Sequence, residues 1–332
     1  MKDAIAKLKA MFYEDVSELV GNTPLVRLKR VTRDVKPLIL AKLEFMNPGG
    51  SVKDRMAFYM LKEAEKRGEI KPGGTIVEAT SGNTGVGVAM YAAIKGYKAI
   101  FTIPDKMSSE KINLLKAFGA KVIVTKTDVP PDSPESYYEV AKRIQRETPN
   151  SYYIGQYENL RNPEAHYKTT GPEILEQTQG KIDYLVGGIG TGGTMTGACK
   201  YLKEKKPEIK TIAVDPVGSV FHDYFKTKKL IEPHVYMVEG IGEDMLVDTM
   251  QFDNIDDIIQ VTDKDSFLMA RRLAREEGIF AGGSSGAAVW AALQVARDLD
   301  KDKLIVVILP DSGTRYLSKL YNDDWMREKG FL

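Results

Sequence analysis

Short apolar runs rich in Ile and Val alternate along this chain with stretches in which apolar residues return every three or four positions. TIVEA (Thr75–Ala79) reads as a buried strand, and GVGVAMYAAIKG after it reads as a helix. KAIFTIP (Lys98–Pro104) is the next strand. SSEKINLLKAFG then has helical period and ends at Gly119, a residue type suited to a helix C-cap. KVIVTK (121–126), IDYLVGG (182–188), TIAVDP (211–216) and KLIVVILP (303–310) continue the strand series. Uninterrupted apolar strands between helices predict parallel sheets covered on both faces. Two series of such units predict two α/β lobes, with a crevice between them as the place for a ligand. VPPDSPES (129–136) is the clearest loop.

Length and composition leave this picture intact and remove several alternatives. The 332 residues are enough for two compact lobes, and 43% hydrophobic with 28% charged residues is an ordinary globular balance. Lys and Arg number 47 and Asp and Glu 46, so the net charge of +1 carries no electrostatic footprint for nucleic acid or an anionic membrane. The single cysteine, Cys199, excludes an intrachain disulfide and a Cys-rich metal site, and fits a reducing cytoplasm. It reads as a buried, inert thiol. His166, His222 and His234 show no metal-ligand spacing, so no metal is expected. The opening MKDAIAKLKAMFYED is charged and amphipathic, unlike a signal peptide, and no later stretch is long enough to span a bilayer.

Four loops carry candidate chemistry. TSGNTG (80–85) follows the strand TIVEA, where an open α/β sheet places its ligands. Thr80, Ser81, Asn83 and Thr84 supply polar groups there, and successive N–H groups before a helix suit a carboxylate. A plain glycine-rich turn accounts for the same residues. GGIGTGGTMTG (187–197) forms a cradle for a phosphate at a helix start. Gly188, Gly190 and Gly193 also fit the dinucleotide pattern G-x-G-x-x-G, with Asp215 near where a ribose-binding acid would lie, so on that segment alone a nicotinamide or flavin fold competes. In PGGSVKDR (48–55), Lys53 follows a Gly-Gly turn at a helix start, and its amine can reach the crevice and condense with an aldehyde cofactor. Most lysines are solvated surface residues, and only the company of the other loops sets this one apart. In AGGSSGAAV (281–289), Ser284 or Ser285 can offer a hydroxyl to a ring nitrogen, or cap the helix.

Taken in order, GNTPLVRL (21–28), NPGGSVKDR (47–55), EATSGNTG (78–85), GTGGT (190–194) and LPDSGTRYLSK (309–319) resemble the fold-type II pyridoxal-phosphate (PLP) enzymes of the cysteine synthase and cystathionine β-synthase family. The resemblance covers nearly the whole chain and sets the dinucleotide reading aside. DSPESYYEVAKRI, GQYENLRNPEAHYKTTGPEI, VDPVGS and VEGIGEDM are closer to the cystathionine β-synthase branch, as a catalytic core. The fold so implied is α/β and tryptophan synthase β-like, with two open twisted lobes and the cofactor in the crevice. Residues 38–160 would form the N-terminal lobe with the PLP lysine and the substrate carboxylate loop. Residues 1–37 and 161–332 would form the C-terminal lobe with the phosphate loop. Lys53 would carry PLP and be the catalytic residue, Asn83 would bond the ring hydroxyl, and Ser284 the pyridine nitrogen. Gly190, Thr191, Gly192, Gly193 and Thr194 would hold the phosphate. Thr80, Ser81, Thr84 and Gln156 would hold the substrate carboxylate, Glu239 and Gly240 would flank the amino acid, and Tyr157 would lie near the second substrate.

The implied reaction replaces the β-substituent of serine or O-acetylserine by a thiol, with homocysteine giving cystathionine. Cysteine synthase chemistry with sulfide is the alternative within the family, and a catalytically weak amino-acid-binding homologue is the alternative outside it. O-Phosphoserine as donor and cysteine as thiol stay open. Animal members carry a haem on an N-terminal extension through Cys and His; the residues before Gly21 contain neither, so no haem is expected. Many members carry a C-terminal regulatory pair of domains, and this chain stops at MREKGFL, about where that linker would begin. Either a short natural form or a truncated core accounts for that. A homodimer is expected, with MKDAIAKLKAMFYED as the segment to pack across the partner.

Overall fold

A computed structural model of the chain describes residues 12–332 apart from 81, 106, 108 and 131. Ten strands form two sheets among these residues: β1 Leu25–Arg27, β2 Leu38–Leu43, β3 Thr75–Ala79, β4 Lys98–Pro104, β5 Lys121–Thr125, β6 Ser151–Tyr153, β7 Tyr184–Gly188, β8 Lys210–Pro216, β9 Asp257–Val261 and β10 Leu304–Leu309. The larger sheet runs β1-β2-β10-β7-β8-β9 and the smaller β5-β4-β3-β6. Every pairing is parallel except that of β1 with β2, at the edge. The helices are α1 Lys53–Lys66, α2 Asn83–Lys95, α3 Ser109–Ala117, α4 Tyr137–Glu147, α5 Arg161–Lys168, α6 Thr170–Gln177, α7 Gly193–Lys205, α8 Phe221–Thr227, α9 Asp263–Arg272, α10 Gly283–Ala296 and α11 Asp323–Glu328.

The strands expected from the apolar runs are present with ends shifted by at most two residues, and the helix before Gly119 ends at Ala117 with Gly119 at φ +84°. Four strands escaped the pattern: β1 and β6 are three residues long, β2 (LILAKL) carries a lysine, and β9 (DIIQV) opens on an aspartate. A correction concerns β2. Grouped by sequence with the N-terminal lobe, it pairs along its whole length with β10, from Leu38 beside Leu304 to Leu43 beside Leu309. Its alternation of half-buried and buried residues fits a strand wedged between β1 and β10, which removes 38–43 from the smaller sheet.

Each sheet has its own core. Met56, Phe58 and Leu61 of α1 pack with Ile76, Val88 and Phe101 around the smaller sheet. Ala287, Ala288, Ala291 and Ala292 of α10 pack against Val186, Ile305 and Val307 on one face of the larger sheet, and Ala198, Cys199 and Leu202 of α7 cover the other. Helices α5 and α7 touch where Gly197 stands; a Cβ there would lie 2.0 Å from the Pro163 carbonyl oxygen. That approach brings Asn162 and His166 of α5 to the loop that starts α7. No helix of the described residues is long and apolar enough to cross a membrane, and none of their His, Cys, Asp and Glu side chains form a group that could hold a metal ion.

One buried ionic network ties α1 to the larger sheet. Arg55 donates from Nε to Glu44 Oε2 at 2.7 Å and from Nη1 and Nη2 to the two oxygens of Glu173, each at 2.7 Å. Lys42 on β2, fully buried, donates to Glu173 Oε2 at 2.9 Å, to Gln177 Oε1 at 2.8 Å and to the Thr23 carbonyl at 2.7 Å. Burial would raise Glu173, but Arg55 and Lys42 outweigh it and hold the carboxyl down to about 2. Arg55→Ala is expected to cost about 3–5 kcal/mol, because it leaves buried carboxylates without their counter-charge; the urea midpoint measures it, and a loss below about 1 kcal/mol would show the network to be dispensable. The contribution of Glu173 is present above its ordinary value of 4.5 and is lost as pH falls through about 2.

Candidate active site

Lys53 stands on the first turn of α1, and the chain before it is held in several ways. Val52 N–H donates to the Pro310 carbonyl at 2.8 Å, and Ser51 bridges to Asp311, so the turn is stitched to the end of β10. Gly49 sits against Asp54, where a Cβ would lie 2.4 Å from Oδ1, and Gly49 N–H donates to Asp54 Oδ2 at 2.6 Å. Burial raises that carboxyl to about 7. The amine so placed faces a cavity of about 660 Å³ between the carboxyl ends of the two sheets, the position an open parallel sheet gives its ligands. Lys53 Nζ lies 3.3 Å from Thr191 Oγ1. Burial pulls it down to about 8, against Glu243 and Asp311, which favour its charged form. A substantial fraction is therefore neutral and nucleophilic near physiological pH.

The loop 190–194 opposite fits an anionic group. A Cβ at Gly190 would lie 2.8 Å from the Gly240 carbonyl oxygen, at Gly192 2.5 Å from Met250 and at Gly193 2.1 Å from Asn162 Oδ1, so the backbone runs where no side chain would pass. Gly192, with φ +76°, is the N-cap of α7 and no side chain caps that end. Such an end presents N–H groups to a phosphate. Thr191 Oγ1 accepts from Asn162 Nδ2 at 3.1 Å. Thr194 Oγ1 meets His166 Nε2 at 3.3 Å, while His166 Nδ1 meets Thr170 Oγ1 at 2.8 Å. Burial, then Arg55 and Lys53, push His166 well below its usual value and keep the ring neutral.

Asn83 begins α2 and donates from Nδ2 to Asp311 Oδ2 at 2.8 Å. Ser284 is buried on the first turn of α10, lines the cavity and forms no hydrogen bond with the described residues. The helix cap is Gly282, without a side-chain cap bond, so neither Ser284 nor Ser285 serves as one. An amine of lowered basicity, a phosphate cradle and an unpaired hydroxyl in one cavity fit a phosphorylated pyridine aldehyde.

The remaining wall is knit more tightly than its sequence indicates. Thr80 Oγ1 turns inward and accepts from the N–H groups of Gly82 at 3.0 Å and Gly85 at 3.2 Å. Thr84 Oγ1 donates to Gln156 Oε1 at 2.6 Å, and Gln156 Nε2 donates to the Ala79 carbonyl at 3.0 Å. Ser81 lies outside the described residues, as does most of MKDAIAKLKAMFYED. Glu239 is in the cavity, but its carboxylate is taken by Lys111 and by Lys319 at 2.6 Å; burial pushes it up and the two ammonium groups prevail, holding it below the usual range. Gly240, at φ +87°, passes close to Gly190. The Tyr157 ring meets Tyr138 edge-on with centroids 5.5 Å apart.

Several residues of the site carried no signal in the sequence. Asp311 was legible only as part of LPDSGTR, yet it receives Asn83 Nδ2 and, at 2.6 Å, the Tyr316 hydroxyl. Asn162, His166 and Lys111 lie on helices outside any glycine-rich loop. Glu243 lines the cavity within VEGIGEDM. A buried charge near a lysine is visible only after folding.

Fold and site together define an α/β enzyme of fold type II, built to carry an aldehyde cofactor on a lysine at the meeting of two parallel sheets. The chain belongs to the pyridoxal-phosphate dependent enzyme family, whose profile matches residues 16–311. It is 49% identical over 320 residues to a cystathionine beta-synthase of Apis mellifera, 47% over 320 residues to that of Mus musculus and 45% over 325 residues to that of Saccharomyces cerevisiae. These alignments cover 95–96% of this chain but 63%, 57% and 64% of the relatives, so the chain spans about three fifths of their length. A hydrogen sulfide-producing enzyme from Fusobacterium nucleatum has a similar solved structure, with TM-score 0.85 and 38% identity, covering 92% of this chain and all of that one.

Lys53→Ala should fold yet fail to take up the cofactor covalently; borohydride reduction of the loaded wild type should label the peptide containing Lys53, and label on another lysine would overturn the assignment. Loading of cofactor-free protein, followed by visible absorption, should accelerate as pH rises through about 8, because the neutral amine is the reactive form.

Proposed function

We propose that this chain catalyses PLP-dependent replacement of the β-substituent of serine or O-acetylserine by a thiol, with homocysteine giving cystathionine. The observation that carries the reading is the convergence of Lys53, the 190–194 cradle and Ser284 on one cavity of about 660 Å³. The names of the cystathionine beta-synthase relatives support the substrate pair. Such a cavity has room for a cofactor beside two small amino acids. The Lys111–Glu239–Lys319 cluster on its wall carries one net positive charge, which suits the carboxylate of a thiol that is itself an amino acid.

Bound there, PLP supplies an aldehyde that condenses with amines and a ring that takes up charge when a bond to the α-carbon breaks. The protein does the rest. Asn83 meets the ring hydroxyl with its amide turned by Asp311. Gly190 to Thr194 hold the phosphate, and Ser284 offers a hydroxyl to the pyridine nitrogen. A hydroxyl gives no formal counter-charge to a protonated ring, so loss of the β-substituent is favoured over transamination. Thr80 and Thr84, held by the Gly82 and Gln156 bonds, stand at the two ends of the segment that orients the substrate carboxylate. Lys53 Nζ takes the α-proton. The two sheets then act as separate lobes, with 44–160 on the side of the smaller sheet. Cysteine used as donor would release sulfide from the same site, which matches the description of the Fusobacterium structure. A homodimer completes the reading, and the buried lone Cys199 supports a reducing cytoplasm; a monomer at micromolar concentration in equilibrium sedimentation would contradict the dimer.

Homocysteine and sulfide at matched concentrations, offered with serine and with O-acetylserine and quantified by mass spectrometry, decide the thiol. Cystathionine is expected to exceed cysteine by about tenfold, which asks for only about 1.4 kcal/mol in the barrier. If cysteine dominates with every donor, the cysteine synthase reading replaces this one.

A further inference from the structure

Lys53 has the α-proton to move, yet replacement at serine handles two more protons: hydroxide leaves poorly without one, and a thiol attacks poorly while it keeps one. We propose that Glu243 carries both, handing a proton to the departing β-oxygen and taking one back from the incoming thiol. The proposal rests on the β-replacement reading above. It is argued from placement. Gly242 before it has φ +80°, and a Cβ there would lie 2.4 Å from Pro216 and 2.8 Å from the Tyr236 hydroxyl, so the chain is pressed against the larger lobe. Glu243 N–H donates to Ser219 Oγ at 3.1 Å and its carbonyl accepts from Val220 N–H at 3.1 Å. The backbone is pinned, and the side chain lines the cavity that Lys53 also lines.

The charged groups around it set its proton affinity. Burial, then Asp244, push Glu243 up to about 8; Lys53 and the Tyr157 hydroxyl work against that, and Asp215 adds to it. Tyr137, Tyr138 and Tyr236, whose own hydroxyls are raised by burial, also feel its charge. Of the other carboxylates lining the cavity, Glu239 is kept ionised by two lysines and Asp244 is exposed at its rim; Asp311, behind Asn83, receives the donors of Asn83 and Tyr316.

The step balances without oxidant or reductant. The Cβ–O bond breaks with its electron pair on oxygen, which takes the proton of Glu243 and leaves as water. The thiol then gives its S–H proton to the Glu243 carboxylate, and a sulfur electron pair forms the S–Cβ bond. The α-proton goes to Lys53 Nζ and returns to Cα. Serine and thiol become thioether and water, and Glu243 ends protonated as it began.

The loaded enzyme, wild type and Glu243→Gln, should be assayed with homocysteine and either serine or O-acetylserine. Acetate departs without a proton, so the serine to O-acetylserine ratio of kcat/KM should fall at least about tenfold in the variant, and Glu243→Asp should restore part of it. In cofactor-free protein, infrared difference spectra should show a protonated carboxyl band that is lost as pH rises through about 8 and is missing from Glu243→Gln. Equal losses with both donors, no loss, a wild type that uses only O-acetylserine, or identical infrared titrations would overturn the proposal. A wild type inert with both donors and every thiol would instead bring down the β-replacement reading itself, and this proposal with it.

Discussion

Arg55 is the side chain on which the geometry of this molecule turns. It sits two residues after Lys53 on a helix whose apolar face belongs to the core of the smaller sheet, while its guanidinium is spent on Glu44, at the end of β2, and on Glu173 of the other lobe. With Lys42 the network contains two cations and two anions, nearly all out of water. A planar guanidinium meets two carboxylates in fixed directions, and none of the four charges can leave without stranding another. Helix α1 therefore has one seating relative to β2, and through β2 relative to β10. Lys53 inherits that seating, as does the turn pinned to Pro310 and Asp311.

Once seated, Lys53 is tuned by opposing effects. Burial alone favours the neutral amine, and the carboxylates of Glu243 and Asp311 favour the ammonium. Glu243 shows the mirror image, with burial favouring the neutral acid and Lys53 favouring the anion. In one cavity, then, burial favours the neutral form of each group and the other's charge favours the ionised form. His166 behaves differently because burial and the cations Arg55 and Lys53 act in the same direction, against Glu173 alone. It stays neutral and serves Thr194 and Thr170 as a hydrogen-bonding spacer.

The sequence made most of this fold readable because parallel strands buried on both faces must be almost wholly apolar, as LIVVIL of β10 and TIVEA of β3 are. β2 was misplaced for a reason of the same kind. LILAKL contains a lysine that looks solvated, and only the structure shows Lys42 buried against Glu173. The glycine-rich loops were legible because close backbone approach excludes side chains, a constraint written in residue type. Asp311, Asn162 and Lys111 were not, since a polar side chain on a helix or strand end has the same appearance whether it faces water or a ligand. The setting of Glu239 was hidden for that reason too, since its two lysines lie 128 and 80 residues away, whereas Thr80 turns to N–H groups of its own loop, two and five residues on.

The segment DSPES shows how a loop can bear on substrate choice without touching a substrate. Ser136 ends it as the N-cap of α4, its hydroxyl accepting from Glu139 N–H at 3.2 Å. Thr102 Oγ1 of β4 donates to the Tyr137 carbonyl at 2.6 Å, so the first turn of α4 is fixed both at its cap and to the sheet beside it. Tyr137 and Tyr138 consequently stand in the cavity wall with ring centroids 3.9 Å apart, and Tyr138 carries the packing on to Tyr157. Those rings line the same cavity as Lys53. On the proposed function, the 190–194 loop holds the cofactor, and the tyrosines with the charged groups beside them bound the space left for the second substrate. Under the proposed reaction, small differences in barrier would separate one thiol from another, and that choice would rest with where a loop starts a helix, a property of its length and cap and not of any catalytic motif.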